Sequence, residues 1–255
     1  MRLRHFGCED GGGGLLLPFY TTNFPLTENP ISERAIWISG TTTPDEAAVR
    51  TTPGRCFSNQ TGTEQQDSGL FNDGQAFLRG IWPKSHRVTS VVHYDGTNLA
   101  ALNASLEAEH YLAMGEGPMV TGLAFGQSKR WGYEINMGMG MFGIFIQCGR
   151  WKRLNLFDSL VSGSPLTQAG AWGAALGIND GDIITTQITY SSPTLVTITC
   201  SLTRAGVTTQ LFSVTDDPTW LPTTGAPGVG QYYHRTGSPI DPSVYCYSTF
   251  TAVSL

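Results

Sequence analysis

The sequence predicts an all-β protein built as an antiparallel sandwich, and three observations lead to that prediction. Only 14% of the 255 residues are charged, against about 25% in ordinary soluble domains, so the residues that build helix surfaces are scarce. The chain carries 31 glycines and 30 threonines, which suit tight turns and half-buried strands. Short period-two stretches recur with turn residues between them, and 40% of the residues are hydrophobic, enough for a sizeable core.

Alternation of apolar and polar residues marks the strands in chain order. They are expected at residues 34–39, 75–81, 87–94, 105–114, 132–137, 142–148, 182–189, 194–203, 208–215, 228–233 and 243–250. In the fourth of these, Leu106 and His110 share one face of the strand, and Glu107 and Glu109 share the other. No regular alternation of strands with helices is visible, which excludes a doubly wound α/β fold.

Three segments lack the strand pattern. Residues 41–66 are polar and are expected to form a long surface loop. Residues 170–177 are the only helix candidate, and three glycines in that stretch disfavour a helix. Residues 1–20 are expected to form a short N-terminal arm with a glycine-rich link, so that residues 21–255 make up one sandwich domain.

Charge and hydropathy exclude several classes of partner. The formal net charge is −5, and no window has the basic density of a nucleic-acid-binding surface. No run of 18 apolar residues occurs, so membrane insertion is not expected. The apolar run at residues 15–17 is too short for a signal peptide. A protein of this kind that works outside a cell would need another route of export, such as cell lysis.

The five cysteines predict neither a zinc site nor a disulfide framework. Their number is odd and no CxxC pair occurs. Buried free thiols are the favoured interpretation, because a free cysteine packs as a small hydrophobe. A bridge between Cys148 and Cys200 stays open at this point.

Short motifs in the second half of the chain follow a recognisable order. Tyr133-Glu134-Ile135 precedes a hairpin, Gly181-Asp182 opens a strand, Val214 to Pro218 ends a hairpin, and residues 225–230 carry a Gly-Ala-Pro-Gly-Val-Gly turn. This order resembles the concanavalin A-like lectin/glucanase superfamily, in its laminin-G-like or pentraxin-like branch. The resemblance implies a jelly roll of two packed sheets.

The resemblance also implies a function class. Such modules are common in bacteriophage tail and capsid proteins and in secreted carbohydrate-active proteins. We therefore expect a non-catalytic structural or adhesive module of a virion or an extracellular assembly, whose partners are glycans or other virion proteins. The odd cysteine count and the arm are compatible with a homo-oligomer. A capsid or tail subunit that binds no sugar is a further alternative.

Candidate ligand-binding residues are aromatic or hydrogen-bonding side chains that look least committed to a core. Sugars stack on Trp and Tyr rings and bind polar groups through their hydroxyls. On that basis we select Trp151, Arg150, Trp220 and Tyr232. No cofactor is expected.

Calcium is the one metal ion for which the resemblance implies candidate ligands. Some laminin-G-like domains bind Ca²⁺, and Asp216 and Asp217 would be its ligands in this chain. A capped turn is the favoured interpretation of these two residues.

The main alternative is a polysaccharide lyase or glycoside hydrolase on the same fold. Its residues would be Glu107, Glu109, His93 and Tyr133. Carboxylates two apart on a strand share a face, as a retaining glycosidase pair requires. The stretch lacks the middle aspartate and the last glutamate of the E-x-D-x-E strand of laminarinase-type enzymes, so a solvent-facing pair is favoured for the glutamates and an ordinary strand-end residue for His93.

Overall fold

The computed structural model describes residues 19–39, 47–60, 74–116, 130–140, 143–151, 157–161, 177–221, 225–235 and 240–255. Within these ranges the chain forms sixteen strands: β1 (Phe19–Thr22), β2 (Trp37–Ser39), β3 (Ala47–Thr52), β4 (Arg55–Ser58), β5 (Gly74–Leu78), β6 (His86–Tyr94), β7 (Ala104–Glu116), β8 (Arg130–Gly140), β9 (Phe145–Trp151), β10 (Phe157–Val161), β11 (Ile183–Ser192), β12 (Leu195–Arg204), β13 (Val207–Asp216), β14 (Ala226–Arg235), β15 (Tyr245–Tyr247) and β16 (Phe250–Ser254). Three 3₁₀ turns cover Ala100–Leu102, Pro218–Trp220 and Pro242–Val244.

The strands form two large sheets that are joined along one side. The first sheet has the order β1-β16-β6-β11-β12-β13, and the second has the order β10-β9-β8-β7-β14-β5, with β2 and β3 both paired to β5. Strands β4 and β15 connect β3 to β6 and so link the sheets. Every pairing is antiparallel except that of β3 with β5. The predicted all-β, antiparallel two-sheet sandwich is confirmed.

The core lies between the two sheets. Alternate residues of β7, β8, β11 and β12 bury their side chains in one continuous cluster, as period-two alternation predicted. His110 of β7 reaches across this core, where its Nδ1 lies 3.1 Å from Thr186 Oγ1 and its Nε2 lies 2.8 Å from Ser90 Oγ. Thr186 and Ser90 belong to the first sheet, so a buried polar group ties the two layers together.

Some expected elements differ from the structure in their bounds, and the strand expected at 243–250 is divided between the 3₁₀ turn at Pro242–Val244, β15 and β16. Residues 41–66 were expected to be a loop, but β3 and β4 form a hairpin there whose turn places Gly54 at φ +78°. Buried Val49 and Phe57 show why a threonine-rich stretch still forms a hairpin. The strand expected from residue 34 begins at Trp37, because Glu33, Arg34 and Ala35 all have positive φ.

Other sequence expectations fall partly or wholly outside the described residues. Residues 1–18 of the expected arm at 1–20 and nearly all of the weak helix candidate at 170–177 lie there, whereas Phe19 and Tyr20 belong to β1, which pairs with β16. Cys8 lies there as well, whereas the other four cysteines are buried free thiols. Because Cys148 and Cys200 are both free, the bridge left open by the sequence does not form. No helix in the described part of the chain is long and apolar enough to cross a membrane.

Candidate functional site

The second sheet has one face against the core and one face turned away from it. On β7, Leu106, Ala108 and Leu112 belong to the main core cluster. Successive side chains of a strand point to opposite sides, so Glu107 and Glu109 lie on the side turned away from the core. We call that side of strands β5, β14, β7, β8 and β9 the outer face of the second sheet.

Strand register aligns the residues of the outer face in three rows. The middle row runs across five strands through Gln75, Gly230, Glu109, Asn136 and Gln147. The row on one side contains Phe77, Gly228, Tyr111, Glu134 and Gly149. The row on the other side contains Tyr232, Glu107, Gly138 and Phe145. Three carboxylates, three side-chain amides and several aromatic rings therefore share one surface of one sheet.

Glu109 occupies the centre of the outer face and is only 1% exposed. Its Oε2 accepts a hydrogen bond of 2.5 Å from the Tyr111 hydroxyl. The neighbouring strand leaves room for this carboxylate because residue 230 is glycine. A Cβ at that position would stand 2.5 Å from Glu109 Oε2 and 2.6 Å from Tyr111 Cε2. The glycine of the Gly-Val-Gly segment is thus required by close approach of a side chain.

Glu134 is the second buried carboxylate of the face. Its Oε2 accepts a 2.6 Å hydrogen bond from Trp151 Nε1, and its Oε1 accepts one of 3.1 Å from Asn136 Nδ2. Asn136 Nδ2 also lies 3.2 Å from Gln147 Oε1. These contacts link β8 and β9 through polar side chains rather than through backbone alone. Glu134 and its partners therefore form one hydrogen-bonded polar network.

An apolar cluster separate from the main core includes residues of the outer face. It consists of Phe77, Tyr111, Met114 and Trp151. The Phe77 and Tyr111 rings are tilted against each other with centroids 5.2 Å apart. Two members of this cluster, Tyr111 and Trp151, donate the hydrogen bonds to Glu109 and Glu134.

Two buried amide oxygens of the middle row have no hydrogen-bond donor among the described residues. They are Gln75 Oε1 and Asn136 Oδ1. Their side chains are 2% and 4% exposed. Buried polar atoms are nearly always paired, so these two oxygens are exceptions within the described residues.

Access to the outer face differs along its rows. Glu107, Gln147 and Tyr232 are partly exposed, whereas Glu109 and Glu134 are buried. A ligand approaching the face would therefore meet Glu107, Gln147 and Tyr232 first. The expectation that both Glu107 and Glu109 face solvent was wrong for Glu109.

The four predicted ligand-binding residues divide between two places. Trp151 and Tyr232 lie on the outer face of the second sheet. Arg150 lies on the opposite side of β9 from Trp151, because neighbouring residues of a strand alternate. It contacts the first sheet instead, where its Nη1 lies 2.9 Å from Asp216 Oδ1. Trp220 Nε1 donates to Asp216 Oδ2 at 3.1 Å, so Trp220 belongs with Arg150.

Asp216 is the centre of this second group, which joins the edges of the two sheets. Besides Arg150 and Trp220, the Tyr133 hydroxyl donates to its Oδ2 at 2.8 Å. Burial, and next the contact with Asp216, raise the pKa of Tyr133 far above its usual range. The neutral Tyr133 hydroxyl therefore donates to Asp216 within a buried hydrogen-bonded group.

The side chains of the two calcium candidates, Asp216 and Asp217, accept hydrogen bonds from groups of the protein itself. Three donors occupy the Asp216 carboxylate. Asp217 accepts from the Thr219 amide at 3.0 Å and caps the 3₁₀ turn at Pro218–Trp220, as the capped-turn interpretation proposed. The described residues contain no group of three or more His, Cys, Asp or Glu side chains placed to hold a metal ion.

His93 does not join the other candidate catalytic residues. On β6, Val88 and Val92 face the core, so His93 lies on the outer side of the first sheet. Its Nδ1 is 3.2 Å from Asp180 Oδ1. Because Tyr133 faces the core from the second sheet, His93 and Tyr133 do not share a face. Of the four candidate catalytic residues, only Glu107 and Glu109 share a face.

Sequence reasoning did not select the residues that surround these two glutamates. Gln75, Glu134, Asn136 and Gln147 were overlooked because they come from three separate stretches of sequence. A signal did exist. Glu134 and Asn136 alternate with apolar residues in the same way as Glu107 and Glu109, which predicts two strands with polar outer sides.

Comparison with known proteins gives similarity of fold alone. No family model matches the chain. No curated protein matches it either. Similar solved structures include the CBM2 module of the evolved Dit of Lactobacillus casei BL23 phage J-1, with 11% identity over 91% of this chain and 93% of that one and a TM-score of 0.49.

Two further similar solved structures are a lectin and a lyase. Lectin UEA-II complexed with galactose has 12% identity over 92% of this chain and 98% of that one, with a TM-score of 0.44. Alginate lyase vAL-1 from Chlorella virus has 13% identity over 82% and 86%, with a TM-score of 0.40.

Proposed function

We propose that this chain is a non-catalytic glycan-binding module that serves as a structural or adhesive part of a bacteriophage virion. The observation that carries the proposal is the outer face of the second sheet. It combines carboxylates, side-chain amides and aromatic rings on one surface, and a sugar-binding site needs these groups. The ligand-binding residues of this proposal are Glu107, Gln147 and Tyr232, with Asn136 beneath them.

The state of the carboxylates favours binding over catalysis. A retaining glycosidase needs two carboxyl groups about 5–5.5 Å apart on either side of the scissile bond. Glu109 and Glu134 are buried and already accept hydrogen bonds from Tyr111 and Trp151. Glu107 is the partly exposed carboxylate of the three. A single accessible carboxylate supports recognition of hydroxyl groups better than it supports acid–base chemistry.

The virion setting is proposed from the resemblance of the sequence motifs to phage modules. The phage J-1 module among the similar structures is a carbohydrate-binding module by its name. Mass spectrometry of purified particles from the native source tests this setting. The chain should be recovered in stoichiometric amount with other virion proteins, and its absence from particles would contradict a virion role.

A glycan array probed with the whole chain tests the binding function. Hits should be confirmed by calorimetry, and Tyr232→Ala or Gln147→Ala should weaken the affinity about tenfold, as loss of a stacking ring or a good hydrogen bond does. Thr199→Ala on the outer side of β12 is the matched control and should bind like the parent chain. An array without hits, together with incorporation into particles, would favour a subunit that binds no sugar.

The same protein should be assayed for turnover, because Glu107 and Glu109 do share a face. Reducing-end and unsaturated-uronate assays across a polysaccharide panel should show no product. Product formation that Glu107→Gln abolishes would overturn the non-catalytic proposal in favour of a glycoside hydrolase or lyase.

A further inference from the structure

The outer side of the first sheet is a broad surface that the proposed glycan site does not use. Ile184 and Ile188 of β11 and Ile198 of β12 face the core, so the residues between them point outward. Strand pairing aligns these outward residues in rows across all six strands, and the longest row runs through Gln210, Ser201, Thr185, Thr89, Thr251 and Thr21. We call the outward-pointing residues of β1, β16, β6, β11, β12 and β13 the hydroxyl face.

The hydroxyl face is accessible and nearly free of charge. None of its residues is buried. Arg87, together with His93 at the far end of β6, supplies its basic side chains, and none of its residues is Asp, Glu or Lys. Threonine is its commonest residue. The face therefore presents mainly neutral hydroxyl groups.

These hydroxyl groups can bond to an identical set of hydroxyl groups. Thr89 Oγ1 lies 3.2 Å from Thr185 Oγ1, and Thr203 Oγ1 lies 2.7 Å from Thr208 Oγ1. Each hydroxyl has one donor and two acceptor positions, so a threonine that contacts its neighbour can still pair with a group outside the sheet. A hydroxyl-rich face is thus chemically complementary to a copy of itself.

One corner of the hydroxyl face is apolar. Phe19 of β1 and Val253 of β16 are direct cross-strand partners, and Leu255 follows Val253 by two residues. Phe19 is 57% and Leu255 is 53% exposed. Exposed apolar side chains that occur singly need no explanation, whereas a contiguous group marks a contact surface. The corner therefore adds apolar area to be buried beside the hydroxyl groups.

The net charge of the chain restricts which surfaces of two copies can meet. That charge is −5, so surfaces rich in carboxylates repel each other when two copies approach. The hydroxyl face contains no carboxylate, and depletion of charge is typical of the centre of a protein interface. A symmetric dimer brings the same surface of both subunits together, and a neutral, self-complementary face meets that requirement.

The size of the hydroxyl face is also of the right order. Six strands about 4.8 Å apart, with same-side residues about 6.8 Å apart along each strand, give it a projected area of roughly 650 Å². A standard interface takes about 800 Å² of accessible surface from each partner. Two β-sheets can pack face to face, as they do within a sandwich.

We infer that two copies of this chain form a dimer in which their hydroxyl faces pack against each other. The Phe19 corner of each copy is covered by the other copy. The outer faces of the two second sheets then lie on opposite sides of the dimer and stay accessible. The inference does not depend on glycan binding. If the chain does bind glycans, the dimer is bivalent and gains avidity on a surface that carries many copies of the ligand.

Sedimentation equilibrium of the whole chain tests the dimer from about 1 to 100 μM, the range in which a weak complex dissociates. The parent chain should show a monomer–dimer equilibrium. Thr185→Lys places a charge in the middle of both faces and should weaken the dimer about tenfold or more, because like charges then oppose each other. Phe19→Ala removes apolar area from the corner and should weaken it about tenfold.

Thr219→Lys is the matched control. Thr219 is exposed in the 3₁₀ turn that follows β13, outside the hydroxyl face. The control should leave the dimer constant within about twofold of the parent value, since an exposed charge away from the contact has little effect. Circular dichroism and urea unfolding check that each variant keeps the parent fold. If Thr185→Lys does not fold, the exposed position Phe19 still provides the test.

Three results would overturn the inference. They are a parent chain that stays monomeric over the whole range, a dimer that Thr185→Lys and Phe19→Ala leave intact, and a dimer that Thr219→Lys weakens as much as Thr185→Lys does. Glycan affinity per site, measured by calorimetry, should be the same for Thr185→Lys and the parent chain. Failure of the dimer is therefore distinguishable from failure of the glycan-binding proposal.

Discussion

Trp151 and Arg150 show how much depends on a single residue step along a strand. The sequence presents them as one aromatic and basic pair suited to a sugar. The pleat of β9 sends Trp151 to Glu134 on the outer face and Arg150 to Asp216 in the other sheet. These two side chains point to opposite sides of the sheet because they are adjacent in a strand, where neighbouring residues cannot share a side.

Replacing Trp151 by Phe should destabilise the fold more than the equivalent change at Trp220. The Phe ring keeps most of the packing, but it removes the 2.6 Å hydrogen bond to buried Glu134. Leaving a buried carboxylate short of a donor costs about 2–3 kcal/mol. Urea unfolding followed by fluorescence measures this loss of unfolding free energy.

Trp220→Phe is the matched control. Asp216 would keep Arg150 and Tyr133 as donors, and Trp220 is only partly buried. Its loss should cost on the order of 1 kcal/mol or less. An equal or larger cost at Trp220 would contradict the importance that we assign to the Glu134 hydrogen bond.

At the scale of the strand, glycines decide how closely side chains of the outer face can approach. Gly230 on β14 has Glu109 Oε2, a Tyr111 ring carbon and the Gly74 carbonyl oxygen within 2.7 Å of the place where a Cβ would stand. Gly138 on β8 likewise leaves room for the Phe145 ring. The outer face thus depends on glycine at particular register positions.

Gly230→Ala should lower the unfolding free energy by about 1–3 kcal/mol, the usual cost of overpacking a dense region. It should also abolish glycan binding, because Glu109 and Tyr111 must move. Unfolding and binding are both measured on the purified variant. Gly206→Asn, in an open turn at φ +81°, is the control and should change stability slightly and binding not at all. Unchanged binding by Gly230→Ala would show that the middle row is not part of the site.

The strands were predictable to the extent that one side of each is apolar. Residues 105–114 alternate cleanly, so the predicted strand and its buried side agree with β7. Residues 41–66 do not alternate in this way. Strands β3 and β4 carry threonine and arginine, and their burial depends on neighbours far along the chain. The Glu107 and Glu109 pair could be placed on one side of a strand. The positions of Asn136 and Gln75 beside them could not be predicted, because strand order and register are properties of the whole sheet.

At the scale of the whole molecule, two buried histidines tie the sheets together and link stability to pH. His110 spans the core between β7 and the first sheet, and His86 Nε2 accepts a 3.1 Å hydrogen bond from the Ala113 amide. Burial lowers the pKa of His110 to about 3 and that of His86 to about 4. Both are therefore neutral in the folded protein near neutral pH.

The unfolding free energy should fall as the pH falls below about 6.5. Above that value both residues are neutral in the folded and unfolded states. Below it, the unfolded chain takes up protons at an ordinary pKa of about 6.5 while the folded chain does not. At pH 5 the loss should be on the order of 2 kcal/mol for each histidine, since one pH unit corresponds to about 1.4 kcal/mol.

Urea unfolding at pH 7.5 and pH 5 measures this loss, and NMR titration of the two imidazoles checks its cause. Their resonances should not shift between these pH values. A flat stability profile, or titration of His86 and His110 near the ordinary pKa, would contradict the account.

The sequence by itself determined the fold class, because scarce charge, abundant Gly and Thr, and period-two alternation leave few ways to bury the core other than between sheets. It also determined which side of β7 is polar, since that follows from local periodicity. Only the tertiary structure decided that Glu109, Asn136 and Gln75 form one row and that Asp216 joins Arg150 to Tyr133. The physical reason is that strand order and register depend on contacts between residues far apart in the chain, whereas alternation within a strand depends on its backbone alone.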